Sequence, residues 1–490
     1  MTSLLGILAI TMLPASGGDD HANTWKRRVP PAMERARREA TTAARAAAFE
    51  AAYRADDWRA ARTLAQTILS NGDPDPKLSG SIVRALWRGG RIEDAEKIAA
   101  RIPPNTRDPL ELVVSIQVHL ARGEIALAGS LADRLEALPP ATAEQLFMLL
   151  SVRQAQGRMH GIAALVRRAA HLLDPAHGYP ESYLKDMIDG MPKFFDVVGD
   201  EPLNQVTALG AVDMPVLGGL HLPYCEAIIN GKGPYRLIVD TGGSIALSLD
   251  ADIAAEIGLE SIATAPIQGV SGKAESGQAI VQSVGLGNIA CKRVMTRIFE
   301  LPVPVDALAD GILGTGVFST ARVTLDFSRA RLAVSKSSKT PAAGRAAPLR
   351  IVADGKLLTF IEVEGRRVTA LLDSGADLVA TSPSLMQDLF PQRELKPLPG
   401  AGLGVGQGGG PGVMLAPPIT LKLWGRTHQD YGGLAVGVLD ELLSPYLGVQ
   451  ADTLVGMPLL REVESISIDY PRSRLMVRSA PSASSGIERD

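Results

Sequence analysis

Cysteine is nearly missing from this chain of 490 residues: Cys225 and Cys291 are the two it has. Two are too few for a disulfide framework or a thiolate metal cluster. The seven histidines are scattered, and their spacing assembles neither a Ser-His-Asp set nor an HExxH helix. No run of 18 apolar residues exists, so no membrane-spanning helix is expected. An excess of positive charge is missing too. Lys and Arg number 50 against 53 Asp and Glu, a net charge of −3, which offers no basic field for nucleic acid. No cofactor and no metal site is therefore expected. Length and a hydrophobic content of 46% fit two to four packed domains.

What the chain does have is one acid presented twice. YRLIVDTGGSIALSL (Tyr235 to Leu249) delivers Asp240 from three apolar residues into a Thr-Gly-Gly turn. RVTALLDSGADLVATS (Arg367 to Ser382) does the same for Asp373. Thr241–Gly242 and Ser374–Gly375 follow the two acids. A strand that ends on a carboxylate and turns on glycine holds that carboxylate at a loop tip backed by core. Gly231 and Gly365 mark a hairpin turn ahead of each acid. Asp250 and Ser382–Pro383 start a short helix after each. Asp310 to Val334 then aligns with Asp452 to Val477, placing Ile312-Leu313-Gly314 opposite Leu454-Val455-Gly456. From acid to glycine is 74 residues in one copy and 83 in the other. The pattern reads as a carboxylate pair made by duplication.

Residues 30–188 have another texture, rich in Ala, Arg and Leu. Turn signals at Asp56, Gly90, Gly123 and Gly157 recur at spacings of 34, 33 and 34 residues, with Ala61, Ala95 and Ala128 five residues on and Ala163 six on. A small residue is needed where two helices cross closely, and the period matches one helix–turn–helix unit. Residues 190–214 read as a joint, because Pro192, Gly199 and Pro202 break the periodicity. Residues 336–348 have linker composition, and residues 479–490 read as a disordered tail. Leu4 to Leu13, followed by Ala15, Ser16 and Gly17, has the apolar core of a secretory signal within residues 1–18, though without a basic flank. A periplasmic or secreted protein is expected on that reading, a cytoplasmic one otherwise. Cys225 and Cys291 are then either bonded or two buried thiols.

DTGGS and DSGAD resemble the active-site turns of retropepsin-like and pepsin-like aspartic proteases. The two apolar-apolar-glycine elements resemble those that brace such turns, and NGKGPYRLIVDTG is similar to bacterial members. The likeness runs over roughly Pro215 to Arg478. The helical part resembles degenerate tetratricopeptide repeats. Together these imply a multidomain α plus all-β chain. Helical repeats (30–188) precede two tandem β-barrel lobes (203–335 and 349–478) that form a pseudo-dimer. The resemblance implies Asp240 and Asp373 as a catalytic pair, supported by Thr241, Gly242, Ser374 and Gly375. It also implies flaps at Gly269, Val270 and Gly272 and at Gly404 and Gly406, with Asp377 holding substrate backbone. Gly243 and Ala376 stand where pepsins favour a hydroxyl residue.

Two functions follow from these residues. One is an aspartic endopeptidase acting on a peptide or protein substrate, with a protein partner or substrate recruited on the repeats. The other is a non-catalytic peptide-binding module on a helical scaffold. A binder has no physical need for paired carboxylates, which favours the enzyme. A separate repeat domain further implies that a chain beginning near Leu203 folds alone.

Overall fold

The computed structural model describes residues 19–72, 75–138, 142–158, 161–172, 181–219, 221–243, 247–269, 272–301, 305, 307–352, 355–398, 412–444 and 448–479. The proposed signal segment, residues 1–18, and the tail beyond Ser479 lie outside them.

The N-terminal part is helical. After Asp19–Glu39 come Thr42–Arg54 and Trp58–Ser70, Ser79–Arg88 and Ile92–Ala99, Pro109–Ala121 and Ile125–Glu136, then Ala143–Ala155 and Ile162–His171. Each of these pairs packs on itself across a short turn. Thr41, Asp57, Asp108 and Thr142 cap helices by accepting the amides of Ala44, Ala60, Glu111 and Gln145, satisfying donors the helix cannot. The four periodic turn signals all adopt the same backbone state. Asp56, Gly90, Gly123 and Gly157 have φ of 56°, 76°, 72° and 72°, the left-handed region that Gly and Asp tolerate. Ala61, Ala95 and Ala128 are completely buried at the helix crossings.

The C-terminal part is β-rich and barrel-like. In the first barrel the sheet order is Ile289–Ile298, Leu247–Leu249, Gly311–Gly314, Lys232–Asp240, Tyr224–Ile229 and Gly272–Leu286, and the last strand pairs back with the first. The second barrel orders Arg426–Val436, Val379–Thr381, Thr453–Val455, Arg366–Leu372, Lys356–Val363 and Val413–Leu423, and closes the same way. In both, the strand ending at the acid lies parallel to the strand leading to the bracing glycine, Val239 beside Leu313 and Leu372 beside Val455. Two-residue turns precede both acid strands: Asn230–Gly231 (φ 50° and 81°) and Glu364–Gly365 (φ 50° and 72°). Positive φ at both positions matches the right-handed twist of a hairpin. Asp250 and Ser382 cap the short helices Ala251–Glu256 and Pro383–Leu389.

A third sheet ties the barrels together. Ala321–Asp326 from one and Val463–Asp469 from the other pair antiparallel, with Thr324 opposite Ser467 and their hydroxyls 2.8 Å apart. Val323, Leu325, Ile466 and Ile468 are fully buried beneath it, each contributing roughly 1.5–3 kcal/mol of burial. One continuous core joins Leu237, Val239 and Leu313 to Ala370, Leu372 and Val455.

Four expectations change here. The segment 190–214 does not begin as a joint, because the helix Glu181–Val198 runs through Gly190 and Pro192. Proline inside a helix costs about 3 kcal/mol; burial of Met191, Phe194, Phe195 and Val198 on that helix offsets it. Residues 336–348 are not a loose linker. Arg345–Ala347 is an edge strand on Arg474–Ser479, and Asp469 accepts from the Ser337 hydroxyl at 2.7 Å. Ser479, expected in the tail, ends that last strand.

The fourth change concerns the helical part, which shares its cores with the barrels. Phe49, Leu86 and Trp87 cluster with Leu358, Phe360, Leu371 and Leu454 of the second barrel. Phe147, Phe194 and Phe195 cluster with Ile280 and Met295 of the first. Backbone contacts reinforce the seam. Gln450 N–H donates to Arg88 O at 2.9 Å, and Thr369 hydroxyl to Gly90 O at 2.7 Å. Arg367 pairs with Glu93, Arg350 with Glu96, and Asp388 with Arg59 and Arg62. The helices therefore belong to the body of the β-rich part.

A chain truncated to start at Leu203 should aggregate, because Leu358, Phe360 and Leu454 lose their cover. Size-exclusion chromatography beside the full chain checks this, and a stable monomer would count against the shared core. Cys225 and Cys291 are free, buried thiols pushed up to about 12 by burial. Neither should react with a thiol reagent in the folded protein, and both should react in denaturant.

Candidate active site

The two acid-bearing turns meet at the junction of the barrels, and each is locked to the other by hydroxyl groups. Thr241 N–H donates to Ser374 Oγ at 2.9 Å, and Ser374 N–H donates to Thr241 Oγ1 at 2.9 Å. The hydroxyls then donate outward, Thr241 Oγ1 to Leu372 O at 3.1 Å and Ser374 Oγ to Val239 O at 2.7 Å. Those carbonyls belong to the residues just before the two acids. Both hydroxyl residues are essentially inaccessible to solvent, so every one of these bonds replaces water that cannot enter.

Glycine follows each hydroxyl residue for a reason different from the turn geometry read in the sequence. Neither Gly242 nor Gly375 has a positive φ. A Cβ at Gly242 would fall 2.3 Å from Cγ of Asp373, and one at Gly375 would fall 2.6 Å from Cγ of Asp240. Each glycine makes room for the acid of the opposite barrel. Gly456 serves differently: a Cβ there would lie 2.1 Å from Leu378 O and 2.5 Å from Ala376 O. The backbone of the bracing element therefore presses directly on the DSGAD turn. Asp373 N–H donates to Val455 O at 3.0 Å and Met457 N–H to Ala376 O at 2.8 Å, completing that brace.

Asp240 and Asp373 thus sit against one another. The carboxyl of Asp373 is held well above the usual carboxylate range, first by burial, then by the negative charge of Asp240 and a hydrogen bond with it. The nearby Lys356 ammonium and the Gly375 amide, which donates to Asp373 Oδ1 at 2.9 Å, pull the other way. Oδ1 of Asp240 is buried without a hydrogen-bond partner among the described residues. Like charges in this position strongly disfavour double ionisation, a behaviour of which aspartic-protease dyads are a standard instance. Titration then belongs to the pair and not to either acid.

The other expected site residues are placed less closely. Gly269 and Gly272 face each other across the tip of the hairpin formed by Ala263–Gly269 and Gly272–Leu286, and Val270 between them lies outside the described residues. Gly404 and Gly406 lie outside them as well. Asp377 is exposed, beyond the buried turn. Two contributors have no signal in the sequence. Lys356 Nζ donates to Gly242 O, from a strand whose lone lysine nothing marks as special. Tyr470 shares a 2.6 Å hydroxyl contact with Thr315, and burial raises its phenol. No group of three or more potential metal ligands occurs among the described residues.

Ser374→Ala removes an acceptor for Thr241 N–H and a donor to Val239 O; Thr241→Val does the mirror-image damage. Each unpaired buried group costs about 1–3 kcal/mol. Both variants should unfold at lower urea concentration, and the double variant should lose less than the sum, since one network is broken twice. Additive losses would mean that the turns are not locked to each other.

Comparison with known proteins finds likeness over part of the chain. Residues 225–317, which contain Asp240, its turn and Ile312-Leu313-Gly314, match the family model described as aspartyl protease. Among solved structures, a retropepsin-like aspartic protease from Rickettsia conorii is matched at 17% identity, over 27% of this chain and 96% of that one, with a TM-score of 0.21. No curated protein sequence matches. The first acid-bearing barrel is, on the family match, similar to an aspartyl protease domain.

Proposed function

We propose that the chain is an aspartic endopeptidase in which the two barrels act as a fused pseudo-dimer, each contributing one aspartate. The observation that carries the reading is the reciprocal clearance at the two glycines, since Gly242 gives way to Asp373 and Gly375 to Asp240. A water held between the carboxylates loses its proton to the ionised one as it attacks the peptide carbonyl. The protonated one supports the developing oxyanion and gives its proton to the nitrogen as the C–N bond breaks, so that the two acids end with their roles exchanged. Burial and mutual repulsion keep a single proton on the pair at the working pH. The match of residues 225–317 to the aspartyl protease family supports the same chemistry.

The substrate in this reading is an extended peptide with apolar side chains flanking the cut. In this reading the hairpin around Gly269 and Gly272 covers it and Asp377 holds its backbone, while the second expected flap, at Gly404 and Gly406, lies outside the described residues. The helical pairs, read as tetratricopeptide-like, brace both barrels and offer their remaining faces to substrate or partner.

Asp240→Asn and Asp373→Asn should each lower turnover at least about a thousandfold, within the range for losing a positioned acid–base group, while folding and peptide binding persist. The losses should not add, because either substitution destroys the shared-proton pair. Wild-type activity should fall as pH rises past the elevated dyad value and the last proton leaves. Cleavage of a peptide library from acidic to neutral pH, beside both variants, checks all three statements. Cleavage that survives either substitution, or peptide binding without any cleavage by the wild type, would replace the enzyme with the peptide-binding module.

A further inference from the structure

Lys356 opens the strand Lys356–Val363 of the second barrel, directly after Gly355 at φ 80°. It is half-buried, and its ammonium crosses to the first barrel to donate to Gly242 O. Gly242 is the residue whose Cα lies against the carboxyl of Asp373. The hydrogen bond therefore fixes a positive charge beside the two acids instead of leaving it on a free side chain. The charged groups that act on Asp373 are Asp240, which raises it, and Lys356, which lowers it, while the charge of Asp240 also reaches the phenol of Tyr470. Lys356 is the cation in that set.

We propose that Lys356 is a positioning residue that sets the pH range of the aspartate pair by holding a fixed ammonium beside it. A cation stabilises the singly charged pair over the neutral one, and the doubly charged pair more still. Both proton affinities fall, so the window in which the pair carries one proton moves toward acid. The lowering influence of Lys356 on Asp373 has this sign. The contact with Gly242 also pins one acid-bearing turn to the opposite barrel, so charge and turn position are coupled through one side chain. The catalytic consequence rests on the endopeptidase reading; the effect on the carboxyls does not.

The test uses the full chain with Lys356→Arg, Lys356→Gln and Lys356→Met. Arginine keeps the charge, glutamine keeps an N–H donor for Gly242 O without charge, and methionine keeps neither. Carboxyl NMR titration of the pair is the primary readout, and the pH profile of kcat/KM on a peptide is the second. Circular dichroism confirms folding of each variant. In Lys356→Gln and Lys356→Met, both apparent pKa values should rise by about one unit or more, while Lys356→Arg stays near wild type. Both limbs of the activity profile should move by the same amount. The proposal is overturned if the glutamine variant titrates like wild type, if the arginine variant shifts as far as methionine, or if kcat falls equally at every pH with unmoved limbs. That last pattern would make Lys356 a strut for the turn and nothing more. Titration shifts in a protein that cleaves no peptide would sustain the proposal and sink the endopeptidase reading instead.

Discussion

Everything at the centre of this molecule depends on bringing two carboxyl groups together against their mutual repulsion. Like charges a few ångströms apart in a partly buried site strongly disfavour double ionisation. The fold resists that repulsion with bonds that do not involve the acids. Thr241 and Ser374 exchange amide and hydroxyl contacts and also hold the carbonyls of Val239 and Leu372. The acids are then carried on a frame that is already closed. What the frame cannot remove is the electrostatic cost, which together with burial holds the carboxyl of Asp373 well above the usual carboxylate range.

The rest of the architecture stiffens that frame from behind. The bracing strands Gly311–Gly314 and Thr453–Val455 run parallel to the two acid strands. The shared sheet centred on Thr324 and Ser467 joins the barrels beneath them. Outside this, the helices fasten to each barrel separately, through Arg88, Gly90, Glu93 and Glu96 on one side and through Met191, Phe194 and Phe195 on the other. A relative movement of the barrels must therefore be shared by the helical part. The same packing covers a face of the second barrel that would otherwise present Phe360 and Leu454 to water.

Local chemistry was readable wherever the backbone itself demands a residue type. The left-handed turns at Asp56, Gly90, Gly123 and Gly157, the hairpin turns at Gly231 and Gly365, and the capped helices after Asp250 and Ser382 all lie where the letters put them. Propensity misled where tertiary burial outweighs it. Pro192 sits inside a helix because four large apolar side chains on that helix are buried. The Ser- and Ala-rich stretch after Lys336 is fastened by Asp469 and by an edge strand, although its composition resembles a free linker.

By itself, then, the sequence determined that two acids stand in matched surroundings, each at the end of an apolar strand and each followed by a hydroxyl residue and a glycine. Those are nearest-neighbour facts, and periodicity and turn chemistry report them directly. Only the tertiary structure decided what the glycines are for, since the aspartate of the opposite barrel, 131 positions from Gly242 and 135 from Gly375, supplies the atom that forbids a side chain there. It also decided that Lys356 reaches Gly242 across the barrels and that the helices share a core with the strands. Contacts of that kind arise from chain closure over more than a hundred residues. No local pattern of residues encodes such a distance.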